Sequence, residues 1–187
     1  MAVQRQVITV EDFDTYIQRD DLGDRIVEFV GGEIVEVPSN PYASEIAQLI
    51  GFFIRLFIRE NKIEGHVTTA DGGFMVAGER YAPDVAYISR ARQPQLARQG
   101  YNPNPPELVV EVISDEASAR ELDTLMLKVS NYVAAGAIVW VIYPTAQLIR
   151  VHVPGQPVKI VSKDGILNGG EVLPGFTLAV SEIFDTP

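Results

Sequence analysis

Leu108-Val109-Val110-Glu111-Val112-Ile113 is an apolar run with a glutamate inside it, and it constrains the fold more than any other stretch. A run this apolar reads as a strand buried on both faces, the pattern of a sheet covered by helices. A helical segment follows, from about Asp115 to Ala135, with Leu122, Leu125, Met126, Val129 and Val133 as its stripe and Ser114 as its expected cap. Gly136 ends it, and Ala137 to Tyr143 is a second strongly apolar strand closed by Pro144. Strand, helix, strand in this order implies a right-handed crossover and a parallel pair. The expected class is α/β, with a central mixed β-sheet and flanking helices.

The flanking segments extend that sheet. Thr9 caps a short helix reaching Arg19, and Asp20 to Asp24 is a turn. Arg25 to Val30 and Glu33 to Val37 form an N-terminal hairpin around Gly31-Gly32. Asn40-Pro41 starts a helix over Tyr42 to Glu60, cap first and then first-turn proline. Gly65 to Ala70 and Asp84 to Ile88 are strands, and Phe74 to Val76 pairs back on the first of them. Leu148 to Val153 pairs with the Ala137 strand, and Val158 to Val161 adds an edge. Leu173 to Phe176 reads as a turn, and Val180 to Phe184 as a closing segment. No repeat or linker divides the chain. Residues 1–187 are read as one domain, with 1–24 as an extension.

Composition narrows the function classes. Nearly half the residues (47%) are apolar, enough for a sizeable core. The absence of cysteine removes disulfides and thiolate chemistry and fits a cytoplasmic location. The first residues carry no signal-peptide pattern, and no run approaches the roughly 20 apolar residues of a membrane span. Ile46 to Ile58, interrupted by Gln48 and Arg55, reads as a buried helix, so no membrane partner is expected. The net charge of −10 argues against a uniformly basic surface. Charge is uneven, however. Residues 1–36 carry nine acids against three arginines, whereas the loop after Val85 carries Arg90, Arg92 and Arg98 and no acid as far as Pro106. That loop is the expected place for a polyanion to lie.

Glu111 poses the chemical question. A carboxylate inside a buried strand is costly unless it is paired or bound to a metal. Asp84, after Pro83, heads the neighbouring strand. Convergent carboxylates suit Mg²⁺ or Mn²⁺, which activate water and stabilise a phosphoryl transition state. Lys128 falls beside Tyr132 at the edge of the helical stripe, within reach of the same site. From the residues alone, an acid/base pair hydrolysing its substrate without a metal remains open. His66 and His152 are isolated, Trp140 reads as core, and Ser114 lacks a nucleophile-elbow setting.

The order Pro83-Asp84, then Glu111-Val112-Ile113-Ser114, then Lys128, Tyr132 and Gly136, then Trp140 and Pro144 resembles the Uma-type family of restriction-endonuclease-like proteins, within the PD-(D/E)XK nuclease superfamily. Val27-Glu28-Phe29 and Gly32-Glu33-Ile34-Val35 are similar to that family's first hairpin, so the resemblance runs from Thr9 to Phe184. It implies a restriction-endonuclease-like core and a metal held by Asp84 and Glu111. It implies cleavage of nucleic acid, DNA first among the candidates. The superfamily lysine is expected two residues after the glutamate, where this chain has Ile113; the resemblance places its replacement at Lys128. Glu28 is the best third acid, and Glu45 a weaker one. A nuclease fold that binds nucleic acid or protein without cutting is the alternative. A homodimer is expected from apolar hairpins that need covering.

Overall fold

Local chemistry sets where the elements begin. In the computed structural model, which describes residues 8–19, 27–36 and 40–185, Thr9 caps helix α1 (Val10–Tyr16). The Thr9 hydroxyl accepts the Asp12 amide, and the Asp12 carboxylate accepts the Thr9 amide in return. The helix closes at Tyr16 rather than Arg19. Strands β1 (Val27–Val30) and β2 (Glu33–Glu36) form the expected hairpin, with Gly31 and Gly32 both at positive φ. The expected turn at residues 20–24, the strand residues 25–26 and residues 37–39 lie outside the described residues. Helix α2 (Pro41–Glu60) starts at Asn40, whose side-chain oxygen accepts the Ala43 amide.

Strands β3 (Gly65–Thr69), β4 (Phe74–Val76), β5 (Glu79–Tyr81), β6 (Val85–Ser89) and β7 (Leu108–Val112) follow. Helix α3 (Ala119–Ala134) and strand β8 (Ile138–Tyr143) complete the crossover. The chain ends with β9 (Leu148–His152), β10 (Lys159–Ser162), β11 (Ile166–Gly169), β12 (Leu173–Ala179) and the short α4 (Ser181–Phe184).

The main sheet has the order β10-β9-β8-β7-β6-β3. Its β7–β8 pair is parallel, as the crossover requires, and its other pairs are antiparallel. The mixed sheet of the sequence reading is therefore present. Alternation along β7 sends Leu108, Val110 and Val112 to the face covered by α2, and Val109 and Glu111 to the face covered by α3. α2 is long and apolar enough to cross a membrane by length and composition, which corrects the expectation that no segment comes close. Here its inner face, including Ile46, Ile50 and Ile54 at 0% exposure, packs on the sheet.

Three local readings are corrected. β4 pairs with β5 rather than with β3, because a second sheet exists, in the order β2-β1-β5-β4. Its short strand β5 carries too few residues to show an alternation. The α3 cap is Ser118, not Ser114, because residues 114–117 form a turn before the helix. Leu173 to Phe176 begins strand β12 instead of turning. Pro174 is tolerated there because β12 pairs only with β11, and the register shifts between Asn168 and Gly169.

The second sheet is fastened from both sides. Phe13 of α1 is buried against Val27 and Phe29, and Arg80 of β5 makes a two-pronged pair with Asp14 at 2.7 and 3.0 Å. The long loop after β6 returns to it as well, where the Tyr101 hydroxyl donates to the Val27 carbonyl at 2.7 Å. The apolar residues of the β1–β2 hairpin are thus packed within the chain, so this hairpin gives no ground for the expected homodimer.

Candidate active site

The seam between the two sheets brings four of the sequence-derived residues together. Glu28 comes from β1, Asp84 from just before β6, Glu111 from β7 and Lys128 from α3. All four line one cleft of about 500 Å³, with residues 112–115 and the first turns of α3 around its mouth.

Lys128 lies within the buried stripe of α3, in line with Leu125, Val129 and Tyr132, rather than at its edge. Its ammonium is 2.9 Å from each Glu111 oxygen and 2.9 and 3.1 Å from the two Glu28 oxygens. Glu28, Glu111 and Lys128 are each at most 7% exposed. Backbone amides fix the other oxygens. Glu28 Oε1 accepts the Ala82 amide at 2.6 Å, and Asp84 Oδ2 accepts the Val112 amide at 2.6 Å.

The charges are unbalanced. Three carboxyl groups face one ammonium, and Glu28, Glu111 and Lys128 are almost wholly removed from the surface. Burial pushes the Asp84 carboxyl up from 3.8 to about 6; the Val112 amide and Lys128 pull it back, while Glu28 and Glu121 raise it further. Burial likewise raises the Glu111 carboxyl, against the pull of Lys128. For Lys128, burial alone favours the neutral amine, but Glu111 and Glu28 outweigh it and hold the ammonium protonated. A second layer of side chains backs this cluster. The Tyr132 phenol lies against Glu111, and Tyr81 meets Tyr132 edge to face at 5.2 Å. Asn131 donates to the Tyr81 hydroxyl at 2.6 Å. Tyr132 Oη and Glu111 Oε1 are both fully buried, and neither completes a well-shaped hydrogen bond.

Several expectations are corrected by this geometry. Arg90, Arg92 and Arg98 do not reach the cleft. Asp84 precedes β6, whereas Arg90 follows its other end, and β6 pairs antiparallel with β7, so the basic loop lies at the opposite end of the sheet from Glu111. Arg92 is occupied there with Glu107 at 3.8 Å and the Pro105 carbonyl at 3.3 Å. Glu45 points outward from α2 and is not in the cleft. Two cleft residues were missed. In the sequence Glu121 is one more helix acid with no assigned role. Its carboxylate accepts the Ser114 and Asp115 amides at 2.7 and 3.3 Å, fixing the turn beside Glu111. Arg120, on the same turn, supplies an exposed guanidinium at the mouth, 3.9 Å from Glu33. Nothing in the sequence separated it from an ordinary helix-surface arginine.

Among the described residues, no three His, Cys, Asp or Glu side chains form a ready-made metal cluster. The donor chemistry still fits a hard divalent cation. Asp84, Glu111 and Glu28 offer only carboxyl oxygens, and a single ammonium, Lys128, stands against the three of them.

A mixed sheet with helices on both faces, and two strand acids and a helix lysine at its edge, define a restriction-endonuclease-like nuclease fold. Residues 10–181 match the Uma2 family model, described as "Putative restriction endonuclease", and the chain belongs to that family. Among solved structures, the fold is similar to the crystal structure of a "putative nuclease belonging to DUF820" from Anabaena variabilis. The TM-score is 0.76, with 17% identity, over 92% of this chain and 96% of that one. No curated protein sequence matches.

Proposed function

We propose that this chain is a Mg²⁺- or Mn²⁺-dependent endonuclease that hydrolyses phosphodiester bonds in DNA, acting in the cytoplasm. One observation carries the reading. Three carboxyl groups and a single buried ammonium share a cleft, more acid than Lys128 alone balances, and a divalent cation would compensate the rest. Asp84 and Glu111 would hold the ion. When bound, the ion would supply an acidified water and charge neutralisation at the phosphate.

The chain's own residues do the rest. The Val112 amide fixes one Asp84 oxygen and turns that carboxylate toward the cleft. Glu28, anchored on the Ala82 amide, keeps Lys128 protonated and positions it beside Glu111. Protonated Lys128 stabilises charge that develops on a phosphate entering the cleft. Arg120 at the mouth offers a fork for a flanking phosphate. This assignment replaces the loop arginines as the substrate contact.

A non-cutting binding module is the second reading. It is favoured by one fact: Lys128 is spent on two carboxylates at once. The metal-free carboxylate pair is supported least, since no aromatic sugar platform lines the cleft among the described residues.

Mn²⁺ titration by calorimetry, paired with nicking of supercoiled plasmid, tests the proposal. The parent protein binds Mn²⁺ and nicks. Asp84→Asn and Glu111→Gln lose both properties while keeping the parental circular dichroism spectrum. Nicking that survives in EDTA would sink the metal site, and binding without nicking would favour the module.

A further inference from the structure

The outer face of α2 is unusual for a helix surface. Glu45, Leu49, Phe52, Leu56 and Arg59 follow one another at alternating spacings of four and three residues, the spacing of a helix–helix seam. At about 100° per residue this stripe lies opposite the buried face through Ile46, Ile50 and Ile54. Phe52 is 57% exposed, the most exposed aromatic side chain in the described residues. Its ring rests edge-on against Phe53 at 5.6 Å, which limits the freedom it would lose on docking. Glu45 and Arg59 are exposed and make no ion pair among the described residues, while Arg55 and Arg59 repel one turn apart.

The charges are arranged symmetrically about Phe52. Glu45 lies seven residues before it and Arg59 seven after. When two copies of α2 pack antiparallel with a two-fold axis at Phe52, each Glu45 meets the Arg59 of the second copy. Leu49 then comes beside Arg55 and Leu56, and the two Phe52 rings meet on the axis. A self-complementary patch of this kind is what an isologous interface needs. We propose that this face is a homodimer interface and that its occupant is a second copy of the same chain. None of the cleft-lining residues belongs to α2, so pairing leaves both clefts open. The cleft end of α2 is marked by Asn40, whose side chain donates to the Ser114 carbonyl. The two such ends stand about 36 Å apart along the helix pair.

The inference does not depend on the nuclease reading, and its test does not use catalysis. Sedimentation velocity of the full chain over a range of concentrations gives the dimer dissociation constant. Phe52→Glu places two carboxylates on the axis and yields a monomer at every concentration, with the parental circular dichroism spectrum. Glu45→Arg and Arg59→Glu each weaken the dimer by about tenfold at low salt. The double variant, with both charges exchanged, recovers the parental constant to within about threefold. A parent that stays monomeric, a Phe52→Glu variant that still dimerises, or a double variant no better than the singles would each overturn the proposal. Binding of the monomeric parent to anionic phosphatidylserine vesicles, lost in Phe52→Glu, would overturn it in favour of a membrane surface.

Discussion

Asp84 illustrates what a buried carboxylate costs the fold. Its carboxyl titrates near 6 in the folded chain because burial disfavours the charged form, against 3.8 when exposed. Well below pH 3.8 both states are protonated, and Asp84 makes no difference to stability. Between about 4 and 6 the unfolded chain releases a proton that the folded chain keeps, so folding weakens as pH rises. By pH 7 the loss reaches about 3 kcal/mol. In EDTA, urea unfolding will therefore find Asp84→Asn only about 0.6 kcal/mol more stable than the parent at pH 4 and about 3 kcal/mol more stable at pH 7. A variant equally stable or weaker at pH 7 would mean the carboxylate is already compensated. Asp84 and Glu111 were legible in the sequence because an acid set in a valine-rich strand demands a partner. Lys128 was legible as a candidate but not as a buried residue, since it lies in the buried stripe only because two carboxylates await it there. Glu121 was hidden, because with Ser114 read as the cap it fell inside the helix, and only the turn before Ser118 brings the Ser114 and Asp115 amides to its carboxylate.

At the scale of elements, the strongly patterned segments were readable and the short ones were not. The β7–α3–β8 unit announced itself through two apolar runs and a helical stripe, and crossover handedness supplied the parallel pairing. β5 has three residues, and β12 begins with a Pro-Gly step, so neither carries a period to detect. Their partners lie elsewhere in the chain, which no local pattern encodes. Asn40 joins the legible to the illegible. Its role as cap of α2 was evident from Asn-Pro, but its Nδ2 also donates to the Ser114 carbonyl at 3.1 Å, at the rim of the cleft. Asn40→Ala removes both bonds and costs about 1–2 kcal/mol in urea unfolding. Asn40→Asp keeps the cap acceptor, loses the donor, and costs less than the alanine. Equal losses for the two variants would show that the cap contributes nothing beyond the link to Ser114.

Taken whole, the molecule is two sheets joined where its charges are buried. Asp84 and Glu111 belong to the main sheet and its approach, Glu28 to the second sheet, and Lys128 reaches both from α3. The second sheet is therefore docked partly through an ion pair that the main sheet shares. A cation entering between Asp84 and Glu111 would draw on Glu111, one of the two carboxylates that hold Lys128. Binding is expected to tighten the seam as a unit, not one strand alone. Two backbone amides report on this directly: Val112, donating to Asp84, and Ala82, donating to Glu28. At a hundredfold excess over its dissociation constant, Mg²⁺ adds about 2.7 kcal/mol to the folded state. Hydrogen exchange with Mg²⁺ will slow at both amides in the parent and at neither in Asp84→Asn. Slowing at Val112 with Ala82 unchanged would confine the ion to the main sheet and reduce Glu28 to an anchor for Lys128.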